Sequence, residues 1–248
     1  MTDIANGLSN GDKGFELGCI WAGDRYVYFD ERIHDPENYP PLEYLVRAIC
    51  RINRFGGHTE TPYSVGAHSL LVVRLVVELY GREMDKSSVA ELALMCLLHD
   101  VHEAIVGDMP TPIKYVLAPL YKEFEKKVEG AIHRQLGVAD GMARWKHYIK
   151  TCDLTALALE KQQLMGEEVR THHWDVCDDL PLPDIDLVEM DYEDEDTVFL
   201  EFMALYEFLN AFLRLGEEGY LAQVQKAALS DVLSQRLEES GGAEEAAA

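Results

Sequence analysis

The chain has 248 residues, a formal net charge of −23 and a sequence pI of about 4.6, a length that suits one domain or one domain with extensions. Such an acid excess argues against nucleic-acid polymers and anionic membranes as partners. No apolar run approaches the roughly 18 residues of a membrane span. A site that handles phosphate in so acidic a chain needs local positive charge from a metal, Lys or Arg. The N-terminus MTDIANGLSNGDKG lacks the basic start and apolar centre of a secretory signal. Cys19, Cys50, Cys96, Cys152 and Cys177 contain no CxxC pair and read as reduced, mostly buried thiols in a cytoplasmic setting.

Taken in chain order, residues 1–14 are rich in Gly, Asn and Asp and are expected to be flexible. CIWAGDRYVYF (19–29) has strand-like aromatic and β-branched content and predicts a small hairpin turned at Ala22-Gly23-Asp24. From there the helical period dominates. LEYLVRAICRINRF (42–55) places Leu42, Leu45, Val46, Ile49 and Ile52 near one face. YSVGAHSLLVVRLVVELYG (63–81) is apolar almost throughout and stops at Gly81. SSVAELALMCLLHD (87–100) begins at a serine cap and reads as buried. Helical pattern returns at 113–136, interrupted by Pro119, and at 142–169, 195–215 and 219–236, whereas 175–194 reads as a loop. LEESGGAEEAAA (237–248) reads as a disordered tail. The expected architecture is an all-α helical bundle with a small β-hairpin near its start, a single domain over residues 15–236.

One constellation carries chemistry. His99 continues the apolar face of Leu92, Met95 and Cys96, and Asp100 follows directly. His68 lies on the apolar face of the preceding helix, between Val65 and Val72. Asp153 sits between Cys152 and Leu154 in the later helix KHYIKTCDLTALALEKQQLM. Taken singly, an apolar-face histidine is more often a satisfied core residue than a ligand. Together, His68, His99, Asp100 and Asp153 form a mixed N/O set suited to Mn, Co, Fe or Zn better than to Ca, because a buried charge is costly unless paired or bound to a metal.

The ordered pattern H…HD…D resembles that of the HD-domain metal-dependent phosphohydrolases, and the chain is similar in particular to the branch of bacterial 5′-deoxynucleotidases and phage dATP triphosphohydrolases. The stretches that carry the resemblance are RFGGHTETPYSVGAHS (54–69), HDVHEAIVGDMPTPIK (99–114) and DLTALALEKQQLM (153–165). It covers about residues 20–215. Phe55 stands where the deoxynucleotidases of that branch carry Trp.

The resemblance implies an HD-domain helical bundle and suggests roles for the polar residues and prolines of HDVHEAIVGDMPTPIK. His99 and Asp100 hold a divalent ion. Glu103, one turn on, orients or deprotonates the attacking water; the alternative is a solvated helix-end acid. Asp108 holds a second ion, with Mg an option there, or a sugar hydroxyl, unless it is a loop residue. Pro110 and Pro112 stiffen the exit and aim Lys114 at phosphate, where Lys114 and Arg54 form the cationic clamp; a surface lysine is the alternative for Lys114. His58, in a Gly-rich loop, is a candidate phosphate contact, and Phe55, Trp21 and Tyr63 are candidates for stacking on a base. His102 reads equally as a support of the ligands or as a surface residue. His34, His133 and His147 read as surface, and His172-His173 as no metal tract, since adjacent helical residues do not share a face.

The implied activity is hydrolysis of the 5′ phosphoester of a small-molecule deoxynucleotide, either a dNTP, with dATP a candidate, to deoxynucleoside plus triphosphate, or a dNMP to deoxynucleoside plus phosphate. Alternatives are an alarmone or cyclic-nucleotide phosphohydrolase and a non-catalytic nucleotide sensor on the same fold. The long apolar helices suggest a homo-oligomer, and the resemblance suggests the cytoplasm of a bacterial or phage-infected cell.

Overall fold

The computed structural model describes residues 18–187, 192 and 194–245. The expected flexible stretch 1–14 lies outside them. The hairpin forms as read: β1 (Cys19–Ala22) pairs antiparallel with β2 (Arg25–Tyr28), with Cys19 opposite Tyr28 and Ala22 opposite Arg25. Gly23 makes the turn with φ 65°, where a Cβ would also lie 2.6 Å from Tyr44. The remaining described secondary structure is helical: α1 (Leu42–Ile49), α2 (Val65–Tyr80), α3 (Lys86–Leu98), α4 (Glu103–Val106), α5 (Thr111–Leu117), α6 (Leu120–Gln135), α7 (Ala139–Leu164), α8 (Glu167–Thr171) and α9 (Glu195–Glu245), with short 3-10 turns between β2 and α1 and before α2. The protein is all-α with a two-stranded hairpin at its N-terminal side.

The centre of the bundle is α3. Ala90 and every residue from Leu92 to Leu98 are buried, because α2, α7 and α9 all pack around it. A helix apolar on all sides has no solvent face to turn outward. α2 is nearly as enclosed, with Val65 to Val73, Leu75 and Val76 buried. Its apolar length is therefore covered within one subunit, which removes it as a motive for oligomerisation. α9 keeps Leu200, Phe208, Leu215 and Leu221 exposed.

Several boundaries differ from the sequence reading. α1 stops at Ile49 rather than running to 55. Beyond it Arg54–Gly57 forms a 3-10 turn in which Phe55, Gly56 and Gly57 all have positive φ (55°, 63° and 78°), and an α-helix cannot pass through that conformation. The N-cap of α3 is Asp85, whose side chain accepts from Ser88 N, instead of a serine. Pro119 separates α5 from α6 as expected. Residues 180–187 of the expected 175–194 loop run without helix or strand. α9 breaks direction at Gly216 (φ 70°), between the two helices read from the sequence. Of the stretch 237–248 read as a tail, residues up to Glu245 continue the helical backbone and 246–248 lie outside the described residues.

Candidate metal centre

Three of the predicted ligands converge. The ring nitrogens of His68 and His99 and a carboxylate oxygen of Asp100 offer ligand atoms all within 4.8 Å of one another. His68 comes from the first turn of α2, where Ser64 caps the helix by accepting from Ala67 N. His99 and Asp100 come from the end of α3. Asp100 Oδ2 lies 3.2 Å from His99 Nε2 and 3.7 Å from His68 Nε2. The fourth predicted ligand, Asp153 on α7, places Oδ1 3.3 Å from His68 Nε2, while Lys150 Nζ holds its Oδ2 at 2.9 Å.

The imidazoles are oriented for a cation. His68 Nδ1 donates to Glu160 Oε1 at 2.6 Å, and His99 Nδ1 donates to the Cys96 carbonyl at 2.7 Å. Each Nδ1–H is thus committed, and each Nε2 is buried with no hydrogen-bond partner. Two orphaned ring nitrogens turned toward a carboxylate, with their far sides anchored, are what a divalent ion requires of histidine ligands. The donor set fits a metal on this ground.

The charges agree. Burial opposes ionisation of Asp100 and Asp153, yet His99 and His68 hold both carboxyls well below the usual range. His99 is pushed up to about 9: burial lowers it, but Asp100 overrides that. Without metal, a proton on His99 supplies the positive charge that the site lacks. Six carboxyls (Asp100, Glu103, Asp108, Glu125, Asp153 and Glu160) face the cations Arg54, Lys114 and Lys150. An anionic substrate would be repelled here without a divalent ion.

Glu103 starts α4 beside this cluster, 3% exposed, with Oε2 unpartnered and Lys114 Nζ 3.6 Å from Oε1. Burial, Asp100 and Asp108 push it up to about 9. It is a buried acid, which removes the reading of a solvated helix end. Gly107 (φ 77°) then ends α4, and Asp108 Oδ2 accepts from Phe55 N at 3.2 Å, which ties this segment to the 54–57 turn. That turn closes a loop whose neck is pinned by Arg54 N to Tyr63 O (2.9 Å) and Val65 N to Ile52 O (2.9 Å). Phe55 is half-buried with φ 55°, a conformation unusual for a non-glycine residue and typical of functional sites. His58 is exposed on the same loop, Trp21 is exposed on the hairpin, and Tyr63 is buried.

The two clamp residues are less free than the sequence suggests. Arg54 is buried, and its Nη2 and Nε reach Glu160 Oε2 at 3.1 and 3.3 Å. Its Nη1 lies 3.9 Å from Asp100 Oδ2. Lys114 is half-buried rather than a surface lysine and pairs with Glu125 Oε1 at 2.7 Å. Both partner acids were missed in the sequence. Glu160 follows Asp153 by seven residues, two turns along α7 on the same face. Glu125 lies in the inward stripe Tyr121–Phe124–Val128–Ile132 of α6. A charge in an otherwise apolar stripe was the signal in both cases.

One histidine is placed differently from the reading, and one that was left open is decided. His133 is buried rather than on the surface, and burial, with His102 and His99 nearby, lowers it to about 4. His102 is buried too rather than on the surface, with Nδ1 3.2 Å from the His99 carbonyl and Nε2 3.9 Å from Glu125 Oε1. His34 and His147 are exposed as expected.

The bundle brings His68, His99 and Asp100 of the H…HD…D pattern together, with Asp153 beside His68, and the resemblance to the bacterial 5′-deoxynucleotidases read from the sequence is borne out by the comparisons. Residues 44–150 match the model of a family described as YfbR-like, 5′-deoxynucleotidase YfbR-like. Arg54, His68, His99, Asp100, Glu103, Asp108 and Lys114 fall within the match; Asp153 and Glu160 lie beyond it. An uncharacterized protein of Escherichia coli K12 is 29% identical over 157 residues, 63% of this chain and 76% of that protein. An uncharacterized protein of Rhodobacter capsulatus is 33% identical over 128 residues, 50% of this chain and 63% of that protein. A 5′-deoxynucleotidase of Vibrio cholerae is 37% identical over 70 residues, 28% of this chain and only 33% of that enzyme. The chain therefore spans less than two thirds of two of these three relatives.

Proposed function

We propose that this protein is a divalent-metal-dependent phosphohydrolase that cleaves the 5′ phosphoester of a deoxynucleoside monophosphate, releasing deoxynucleoside and phosphate. The observation that carries the reading is the pair of buried, unpartnered Nε2 atoms of His68 and His99 facing Asp100. His68, His99, Asp100 and Asp153 hold the ion, with Mn, Co, Zn or Fe suited to the set. When bound, the ion supplies Lewis acidity and a more acidic water. Beside that added positive charge the Glu103 carboxyl ionises, and it accepts the proton of the water that attacks phosphorus. The P–O bond to the 5′ carbon's oxygen breaks, and that oxygen takes up a proton as the nucleoside leaves. Arg54 Nη1 and Lys114 Nζ offer N–H donors to the phosphate oxygens. In this reading Asp108, bonded to the 54–57 turn through Phe55 N, takes a sugar hydroxyl, Phe55 the base and His58 a phosphate oxygen. The 5′-deoxynucleotidase relatives favour a monophosphate; hydrolysis of a dNTP such as dATP to triphosphate breaks the same bond and uses the same residues. The free thiols of Cys50, Cys96, Cys152 and Cys177 fit work in a reducing cytoplasm, and among the described residues no helix is long and apolar enough to cross a membrane.

The test is a panel of all dNMPs, dNTPs and their ribose forms with Mn, Co, Zn, Fe and Mg, with products separated by chromatography. Phosphate and deoxynucleoside from a dNMP are expected. Triphosphate from a dNTP would move the substrate class, and no turnover with any metal would refute the enzyme and leave a nucleotide sensor.

A further inference from the structure

Glu160 is the one acid of the site with no exposed surface among the described residues. Burial alone would raise its pKa, but Arg54 and His68 hold it below the usual carboxylate range. Its two oxygens have separate duties. Oε1 accepts from His68 Nδ1 at 2.6 Å, and Oε2 accepts from Arg54 Nη2 and Nε at 3.1 and 3.3 Å. Donors thus press on the side chain from both ends. Only a carboxylate, which has acceptors at both ends, can answer them. A glutamine of the same shape presents one acceptor and one N–H₂, so it serves His68 or Arg54 and turns a donor on the other. An aspartate keeps the charge but is one methylene too short to hold both.

The geometry points to Glu160 as a positioning residue that couples the metal ligand His68 to the guanidinium of Arg54, so that one carboxylate sets both the metal centre and the anion clamp. Holding Nδ1–H fixes the tautomer of His68 and leaves the Nε2 lone pair facing Asp100 and Asp153. Holding Nε and Nη2 spends two of the five donors of Arg54 and leaves Nη1 as the edge nearest Asp100, 3.9 Å away. The guanidinium also neutralises a carboxylate that would otherwise lie unpaired in the core. A change at either partner therefore has to be felt at the other through Glu160. This deepens the metal-site reading above and rests on it.

The experiment uses full-length protein stripped of metal. Mn²⁺ affinity is measured by chelator competition for wild type and Glu160→Gln, and inorganic phosphate affinity is then measured on the Mn²⁺-loaded forms, with circular dichroism and thermal melting to verify folding. The expected result is a loss of roughly 10- to 100-fold in Mn²⁺ affinity, the usual effect of removing a residue that orients a ligand, and weaker phosphate binding by about tenfold. A lower melting temperature with both affinities unchanged would make Glu160 merely structural and overturn the inference. Should Glu160→Gln not fold, Arg54→Lys replaces it: it keeps the charge and the His68–Glu160 hydrogen bond but not the fork. Its Mn²⁺ affinity should shift by roughly threefold or more although Arg54 is no ligand, and an unchanged value overturns the coupling. Wild type that binds no Mn²⁺ fails one step earlier, sinking the metal centre itself.

Discussion

Replacing Glu103 by glutamine separates the roles assigned to the site. The substitution keeps shape and removes the ability to take a proton. General bases contribute about 10²- to 10⁴-fold in rate, or roughly 2.7–5.4 kcal/mol of barrier at 1.36 kcal/mol per decade. The structure favours the upper part of that range, because no neighbouring carboxyl is free to substitute. Asp108 accepts from Phe55 N, Glu125 pairs with Lys114, Glu160 is held by His68 and Arg54, and Asp100 and Asp153 face the histidines. The expected kcat loss is therefore about 10³-fold or more, with bound metal unchanged. Stability should move the other way. In the metal-free protein the Glu103 pKa is raised from 4.5 to about 9. A raised pKa means that the folded state favours the protonated form: the stabilisation is full below about 4.5 and is lost as pH rises through about 9. Glutamine is neutral at every pH, so at neutral pH metal-free Glu103→Gln should melt at the wild-type temperature or higher. Steady-state kinetics, metal analysis and melting of the stripped protein make the three measurements. A kcat within tenfold of wild type would refute the assignment of the base, and loss of metal would show that Glu103 is a ligand.

Alanine at His68, His99, Asp100 or Asp153 should each abolish turnover and reduce metal content, read by elemental analysis of folded protein; a variant that keeps its full metal removes that residue from the ligand set. Because His99 titrates at about 9 without metal, the ion displaces a proton, and apparent Mn²⁺ affinity should strengthen by up to about tenfold per pH unit from 7 toward 9; a flat profile would contradict the protonated site. Gly66→Ala would place a Cβ 2.8 Å from Cys50 Sγ and 3.0 Å from Val198 Cγ1, an overpacking that should cost about 1–3 kcal/mol by denaturant unfolding. The exposed Leu200, Phe208, Leu215 and Leu221 of α9 lead us to expect a homo-oligomer, so light scattering should give a mass above the 28.0 kDa of one chain; a monomer mass at micromolar concentration would refute it.

The sequence alone determined the helical class, the hairpin at 19–29 and the inward placement of His68, His99 and Asp100. Each is written locally: aromatic and β-branched content around a Gly turn for the strands, and 3.6-residue recurrence for the helices. The spacing of His68 from Val65 and Val72, or of His99 from Leu92 and Met95, already says which way a side chain points from its own helix. It does not say what stands opposite. Glu160 lies 92 residues beyond His68 and Glu125 eleven beyond Lys114, so the first partnership depends on how α2 and α7 pack and the second on how α5 and α6 do. The same is true of the burial of Arg54, which looks like a free cation until Glu160 of α7 pairs with it, and of the burial of His133 in α6. The early stop of α1 was decided at the 54–57 turn, where Asp108 and the hydrogen bonds of the loop neck hold Phe55 at positive φ against its intrinsic preference. Local pattern fixes the direction of a side chain, whereas charge balance is a sum over everything within a few ångströms, and in this acidic protein those neighbours come from six helices, α2 to α7, and the turns beside them.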